Sequence, residues 1–107
     1  MEIFHAHIYF SENESVLAEK VRDSLIYAVP QAAHVSELIL DPPGPHPKPM
    51  FMVHILSSNI NTVAHIIDRK RAGLSVLIHP AQEDKLAAHT IFARWLGDRL
   101  PLNFDAL

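Results

Sequence analysis

The chain has 107 residues, of which 49% are hydrophobic and 20% charged, and its formal net charge is −3 when the histidines are neutral. This composition is typical of a folded globular protein, excludes a disordered or collagen-like chain, and predicts one domain over residues 1–107. Asp and Glu number 12 against 9 Lys and Arg, so no basic field is available to hold a nucleic-acid backbone. We therefore expect no nucleic-acid partner.

Cysteine is absent, which excludes disulfides, thiolate metal sites and cysteine nucleophiles. No apolar run is long enough to cross a membrane, and the first residues, MEIFHAHIYF, lack the basic start of a secretory signal. These features predict a cytoplasmic protein without a membrane partner.

In the first half of the chain, the spacing of apolar residues changes from the period of a strand to that of a helix and back again. Residues 3–10 alternate between two sets of side chains, one of them entirely apolar, as a strand with one buried face does. An S-x-x-E capping box at residues 11–14 then opens a helix whose apolar stripe continues until Pro30 stops it. Residues 33–40 follow as a predicted strand that ends at a pair of prolines.

The second half repeats the alternation. Residues 50–56 are predicted to form a strand, 59–72 a helix, and 74–79 a nearly continuous apolar strand. A last helix is predicted over 83–97. The order β-α-β-β-α-β indicates an α+β, ferredoxin-like fold: a four-stranded antiparallel sheet, two helices on one face, an open second face and an extra C-terminal helix.

Histidines dominate the polar chemistry of the chain, with eight of them at positions 5, 7, 34, 46, 54, 65, 79 and 89. If the apolar residues of the first strand face the helices, His5, His7 and Tyr9 face the open side of the sheet. Imidazoles without cysteine suit iron(II), zinc or manganese, although the spacing matches no recognised ligand motif. Exposed or hydrogen-bonded structural histidines are the alternative, above all for His34 and His65.

One segment, LILDPPGPHPKPMFMVHIL, encloses His46 between two prolines. Because proline fixes φ on each side, this arrangement predicts an imidazole held in one orientation. The alternative is a rigid connection that merely protects a sheet edge. A second histidine–proline pair occurs at His79, at the end of a buried strand, where functional residues are common.

Four segments in order are similar to successive blocks of the DOPA 4,5-dioxygenase family: HAHIYF (5–10), GPHPKPMF (44–51), LSVLIHP (74–80) and AHTIFARWLG (88–97). This resemblance spans almost the whole chain. It implies a small ferredoxin-like domain that opens the ring of a catechol-type, DOPA-like aromatic with O₂, using non-haem iron(II) or another divalent metal such as zinc. The chain departs from the family pattern at Ala88, where relatives tend to have Asp, and at Met52, where a polar residue is common.

The resemblance also implies roles for individual histidines. The family's histidine blocks fall on His7, His46, His79 and His89. We expect the first three as metal ligands, His89 as the general acid/base, and His54 as a residue that could share that task. No carboxylate ligand is assignable, and the nearest candidates by position are Glu37, Asp41 and Glu83.

Two further interpretations stay open. Tyr9 and Trp95 could line a pocket for the substrate ring, but at their spacing both are more often core residues. The protein could also be a metal- or small-ligand-binding ferredoxin-like homodimer without dioxygenase activity, as Ala88 hints. A homodimer is equally compatible with catalysis, because an open apolar sheet face favours pairing with a second copy.

Overall fold

The computed structural model describes residues 3–29 and 34–107. Its strands are β1 (Ile3–Tyr9), β2 (Met50–Leu56), β3 (Val76–Pro80) and β4 (Arg94–Leu96), and its helices are α1 (Ser15–Ala28), α2 (Ile60–Lys70) and α3 (Lys85–His89). All strand pairs are antiparallel, in the order β2-β1-β3-β4. The predicted α+β fold with a four-stranded antiparallel sheet is therefore confirmed.

One face of the sheet packs against α1 and α2 and forms the main core. Ala6 and Ile8 of β1 are fully buried there, as the alternation along the strand predicts. The helices contribute apolar residues spaced three and four apart, including Val21 and Leu25 of α1 and Ile67 of α2. This packing turns the other side chains of β1, the histidines, toward the second face.

The strand predicted over residues 33–40 is not continuous in its described part, residues 34–40. This segment runs beside β2 and is joined to it by two isolated bridges, at Val35 and Ile39, and by further backbone hydrogen bonds. These bridges are four residues apart on the segment and three apart on β2, so the segment carries one extra residue, as a β-bulge does. The Ser36 hydroxyl accepts the Met52 N–H at 2.9 Å and so replaces a ladder carbonyl.

The long C-terminal helix predicted over residues 83–97 is also wrong in extent. Only α3 is helical, and the chain then enters β4, where Trp95 pairs with β3 and Leu96 completes the main core. Trp95 and Leu96 face opposite sides of the sheet, which is a period of two. Gly97, at φ +75°, follows the strand rather than capping a helix.

The second face of the sheet is partly covered, whereas the prediction left it open. Tyr9 and Leu77 on this face are buried and pack against Trp95 in a smaller apolar cluster. The Asn103 N–H donates to the Pro45 carbonyl at 2.9 Å, which ties the C-terminal segment to the proline-rich segment over this face. The homodimer was expected because this face was predicted to be open and apolar. The oligomeric state is not tested by the structure of one chain, so the homodimer stays a prediction.

The first helix ends at Ala28. The predicted stop at Pro30 and the start of the predicted strand, residue 33, lie outside the described residues. Over the ranges 3–29 and 34–107, no helix combines the length and the apolar character that a membrane span requires.

Candidate metal centre

Three imidazoles from two neighbouring strands converge on the second face of the sheet. His5 and His7 share this face because they are two residues apart on β1, and His79 lies directly opposite His5 on β3. One ring nitrogen from each of the three lies within 4.8 Å of the others. In the part of the chain that the structure describes, no other such group of three potential metal ligands occurs.

The hydrogen-bond partners of His7 and His79 indicate which ring nitrogen carries the hydrogen. Their Nε2 atoms are 2.9 Å apart. The His79 Nδ1–H donates to the Pro80 carbonyl at 2.9 Å, and His7 Nδ1 lies 3.0 Å from the sulfur of Met50, which can only accept. Neutral rings with hydrogen on Nδ1 carry a lone pair on Nε2, so two lone pairs face each other. This arrangement is repulsive unless a cation lies between them, and the donor set therefore fits a divalent metal ion.

Burial favours the neutral form of these rings. It lowers the pKa of His7 well below 6.5, and the positive charge that His46 and His79 can carry lowers it further. Burial also lowers the pKa of His79 to about 4, although the hydrogen bond to the Pro80 carbonyl acts in the opposite direction. His5 is half-buried, and its pKa is lowered by burial and then by His54. Neutral imidazole is the form that binds metal.

His46 joins the cluster from the proline-rich segment. Its ring centre is 4.2 Å from that of His7, and its Nδ1 is 2.8 Å from the hydroxyl oxygen of Tyr9. Burial raises the pKa of Tyr9 and lowers that of His46 to about 4. A protonated phenol beside a neutral imidazole donates to Nδ1, which leaves the ring hydrogen of His46 on Nε2. Gly44, at φ +73°, provides the left-handed turn between two prolines that leads to this ring.

His89 joins the cluster from α3, beside His79. The two ring centres are 4.1 Å apart, and the His89 Nδ1–H donates to the Lys85 carbonyl at 2.7 Å within α3. The Nε2 of a neutral His89 therefore carries a lone pair. His54, the other residue expected to act as acid/base, is opposite His5 on β2 and does not line either cavity at the centre.

Two adjoining cavities give access to the centre. One, of about 350 Å³, is lined by the histidines just described together with the proline-rich and C-terminal segments: His5, His7, His46, His79 and His89. The other, of about 380 Å³, shares His5, His79 and His89 with the first and reaches Ala88. Lys85 lines both cavities. Volumes of this size are within the range of small-molecule sites.

Comparison with known proteins places the chain in a family. A profile described as the Dopa 4,5-dioxygenase family matches residues 4–106. The chain belongs to this family. A DOPA 4,5-dioxygenase from Amanita muscaria is 32% identical over 111 residues, an alignment that covers 97% of this chain and 49% of that protein. The chain thus spans less than half of that relative's length.

A solved structure gives the same result for the fold. The match is to a Nostoc punctiforme protein provisionally described as a dioxygenase, with 31% identity and a TM-score of 0.84, and it covers 98% of this chain and 90% of that one. The resemblance of the four sequence blocks to the DOPA 4,5-dioxygenase family is therefore confirmed.

The carboxylates considered as ligands lie outside the imidazole group of this family member. Glu37 is exposed and pairs with Arg22 at 3.3 Å, and Asp41 is exposed. Glu83 is exposed at the wall of the larger cavity. Ala88, at the position where the family pattern suggests Asp, is buried beside His89 and supplies no charge. The group found in the described residues thus consists of imidazoles alone.

Sequence reasoning underestimated two residues of this family member. His5 belongs to the converging group, and its signal was the His5-x-His7 spacing, which places both rings on one face of a strand. Tyr9 is a core residue as expected, with 1% exposure, but its hydroxyl also holds His46. Met52 lies opposite His7 on β2 but is not part of the imidazole group. Trp95 also lies outside this group.

Proposed function

We propose that the chain is a metal-dependent dioxygenase that opens the ring of a small catechol-type aromatic with O₂. One observation carries this proposal: the Nε2 atoms of two buried imidazoles face each other at 2.9 Å, with a third imidazole beside them. Such a set of imidazole nitrogens suits a bound divalent cation. Membership of the DOPA 4,5-dioxygenase family supports the class of reaction.

His5, His7 and His79 are the metal ligands in this proposal. His7 and His79 agree with the expectation from sequence, whereas His5 replaces His46. The reason is the hydrogen bond from Tyr9, which occupies Nδ1 of His46 and leaves a hydrogen on its Nε2. Iron(II) is the proposed metal, because imidazole ligands suit it and zinc, which they also suit, has no redox chemistry.

Iron(II) at this position would supply a site where the catechol and O₂ meet and electrons pass between them. The proton transfers belong to the protein. His89 accepts a proton from a catechol hydroxyl at Nε2, since its Nδ1–H is held by the Lys85 carbonyl. His46 acts as a donor through its Nε2–H and stabilises negative charge on a substrate oxygen, with Tyr9 fixing its orientation.

The walls of the cavity indicate the kind of substrate. The proline-rich and C-terminal segments form part of the wall of the smaller cavity. Lys85 places an ammonium group at both cavities, which favours a catechol that carries an anionic group such as a carboxylate. A DOPA-like molecule fits this description.

The test is oxygen consumption by protein reconstituted anaerobically with iron(II). With a panel of catechols, we expect O₂ uptake to match the appearance of a yellow ring-opened product. His7→Gln and His79→Gln should lose both metal and activity, while His65→Gln, an exposed change on α2, should retain both. Folded protein that binds metal but consumes no O₂ with any catechol would favour the metal-binding homodimer without enzyme activity.

The roles of His46 and His89 are tested by metal content and turnover together. His89→Gln should keep its metal and lose roughly 100-fold in kcat, the usual contribution of a general base. His46→Gln should also keep its metal. If His46→Gln protein instead loses metal as His79→Gln does, His46 is a ligand, as the sequence resemblance implies, and the assignment of His5 in its place is wrong.

A further inference from the structure

Two histidines outside the proposed ligands continue the row of imidazoles toward solvent. His54 lies directly opposite His5, and their ring centres are 4.6 Å apart. The ring centre of His34 lies 6.1 Å from that of His54, and His34 is exposed. The His54 N–H donates to the His34 carbonyl at 2.9 Å, which holds these two residues side by side.

The rings of this row are available as ligands. Within residues 3–29 and 34–107, the rings of His5, His34 and His54 make no hydrogen bond to protein, in contrast to those of His7 and His79, which are both anchored. Exposure also falls along the row: His34 is exposed, His54 and His5 are half-buried, and His79 is 5% exposed. The row thus leads from solvent to the buried pair, with neighbouring ring centres 4.6 to 6.1 Å apart.

Neighbouring imidazoles at this spacing can exchange a metal ion stepwise. A divalent transition metal forms bonds of about 2 Å to imidazole nitrogen and accepts several such ligands at once. Because each ring in the row adjoins the next, an ion can bind the following nitrogen before it leaves the preceding one. This exchange avoids the cost of releasing a bare ion in a partly dehydrated site.

We propose that His34 and His54 form a loading path that captures a divalent transition metal ion from solvent and transfers it to His5. The path rests on the metal centre proposed above and adds a second, transient binding site to it. Each transfer forms one metal–nitrogen bond and breaks another, and involves no oxidation or reduction.

Removing a residue of the loading path and removing a residue that supports a ligand change different quantities. Because the same route serves both directions, removing a residue of the path slows metal uptake and metal release by the same factor and leaves the equilibrium Kd unchanged. A residue that instead positions His5 would alter Kd, chiefly through faster release. Rates and affinity measured on one variant therefore distinguish the two roles without reference to activity.

The experiment uses the metal-free 107-residue chain mixed rapidly with Co²⁺. Uptake is followed by the visible absorbance of the bound ion, and release is followed after addition of a strong chelator. We expect His54→Gln to slow both rates about ten-fold, equivalent to about 1.4 kcal/mol in each barrier, with Kd unchanged. His34→Gln should slow both in the same sense, and because His34 is exposed this variant tests the path even if His54→Gln fails to fold. His65→Gln, an exposed histidine away from the row, is the matched control and should load at the wild-type rate.

Three results would overturn the path. Unchanged rates in both variants would mean that metal enters directly through the cavity of about 350 Å³, and the metal centre would stand without the path. Weaker binding with faster release and unchanged uptake would make His54 a positioning residue for His5. Wild-type protein that binds no Co²⁺ would refute the metal centre and the path together.

Discussion

Acid should destabilise the metal-free protein because its buried imidazoles are neutral. His79 is the clearest case, with 5% exposure and a pKa of about 4 in the folded chain against the ordinary 6.5 of a solvated histidine. Since the folded pKa is the lower one, the unfolded chain binds more protons between these two values. The stabilisation is therefore complete above pH 6.5 and is lost as the pH falls toward 4.

The size of the effect follows from the same values. A fall in the pKa of His79 from 6.5 to about 4 corresponds to about 3 kcal/mol of unfolding free energy. Burial lowers the pKa of His7 and of His46 as well, so their contributions have the same sign. Domains of this size are stable by only about 5–15 kcal/mol, so a loss of this order is readily measured.

The assay is urea unfolding of chelator-treated protein at pH 7 and pH 4, followed by circular dichroism. Between pH 7 and pH 4, the unfolding free energy of wild type should fall by about 3 kcal/mol more than that of His79→Gln, because glutamine does not titrate. His65→Gln, which removes an exposed imidazole, should follow wild type. Identical pH dependence in wild type and His79→Gln would refute the claim that a buried neutral His79 governs acid stability.

Three further substitutions test contacts elsewhere in the structure. Tyr9→Phe removes the donor to His46 Nδ1 and should cost about 1–2 kcal/mol in unfolding free energy; nitrogen NMR should show a changed His46 tautomer, and an unchanged one would contradict the assigned hydrogen bond. Ser36→Ala removes the acceptor of the Met52 N–H and should lower the unfolding free energy by about 1 kcal/mol, measured by urea titration; an unchanged free energy would mean that this hydrogen bond does not stabilise the bulge. Phe51→Ala empties a fully buried position and should cost about 3–5 kcal/mol; a loss below about 1 kcal/mol would mean that Phe51 does not pack in the core as described.

Local patterns in the sequence predicted much of the fold. The S-x-x-E motif does open the first helical segment, where the Ser11 N–H donates to Glu14 Oε1 at 2.9 Å, before α1 begins at Ser15. The alternation in the first strand correctly placed Ala6 and Ile8 in the core and His7 on the other face. These features depend on residues close together in the chain, so their period is readable without the rest of the molecule.

The errors occurred where distant segments compete with local preference. Residues 94–96 belong to a segment whose composition permits a helix, but pairing with β3 and burial of Leu96 made it a strand. Residues 34–40 have the apolar character of a strand, yet one extra residue relative to β2 leaves only two bridges. Neither the pairing partner nor the register of a strand is encoded in its own period.

The sequence by itself determined which side chains share a face, because a strand alternates with a period of two whatever it pairs with. From this alone came the expectation that His5, His7 and Tyr9 point away from the helices. Only the tertiary structure decided which rings meet, since the register of β1 against β3 sets His79 opposite His5. It also decided their chemistry: the hydrogen-bond partner of each Nδ1, a carbonyl for His79 and a phenol for His46, determines whether Nε2 presents a lone pair or a hydrogen.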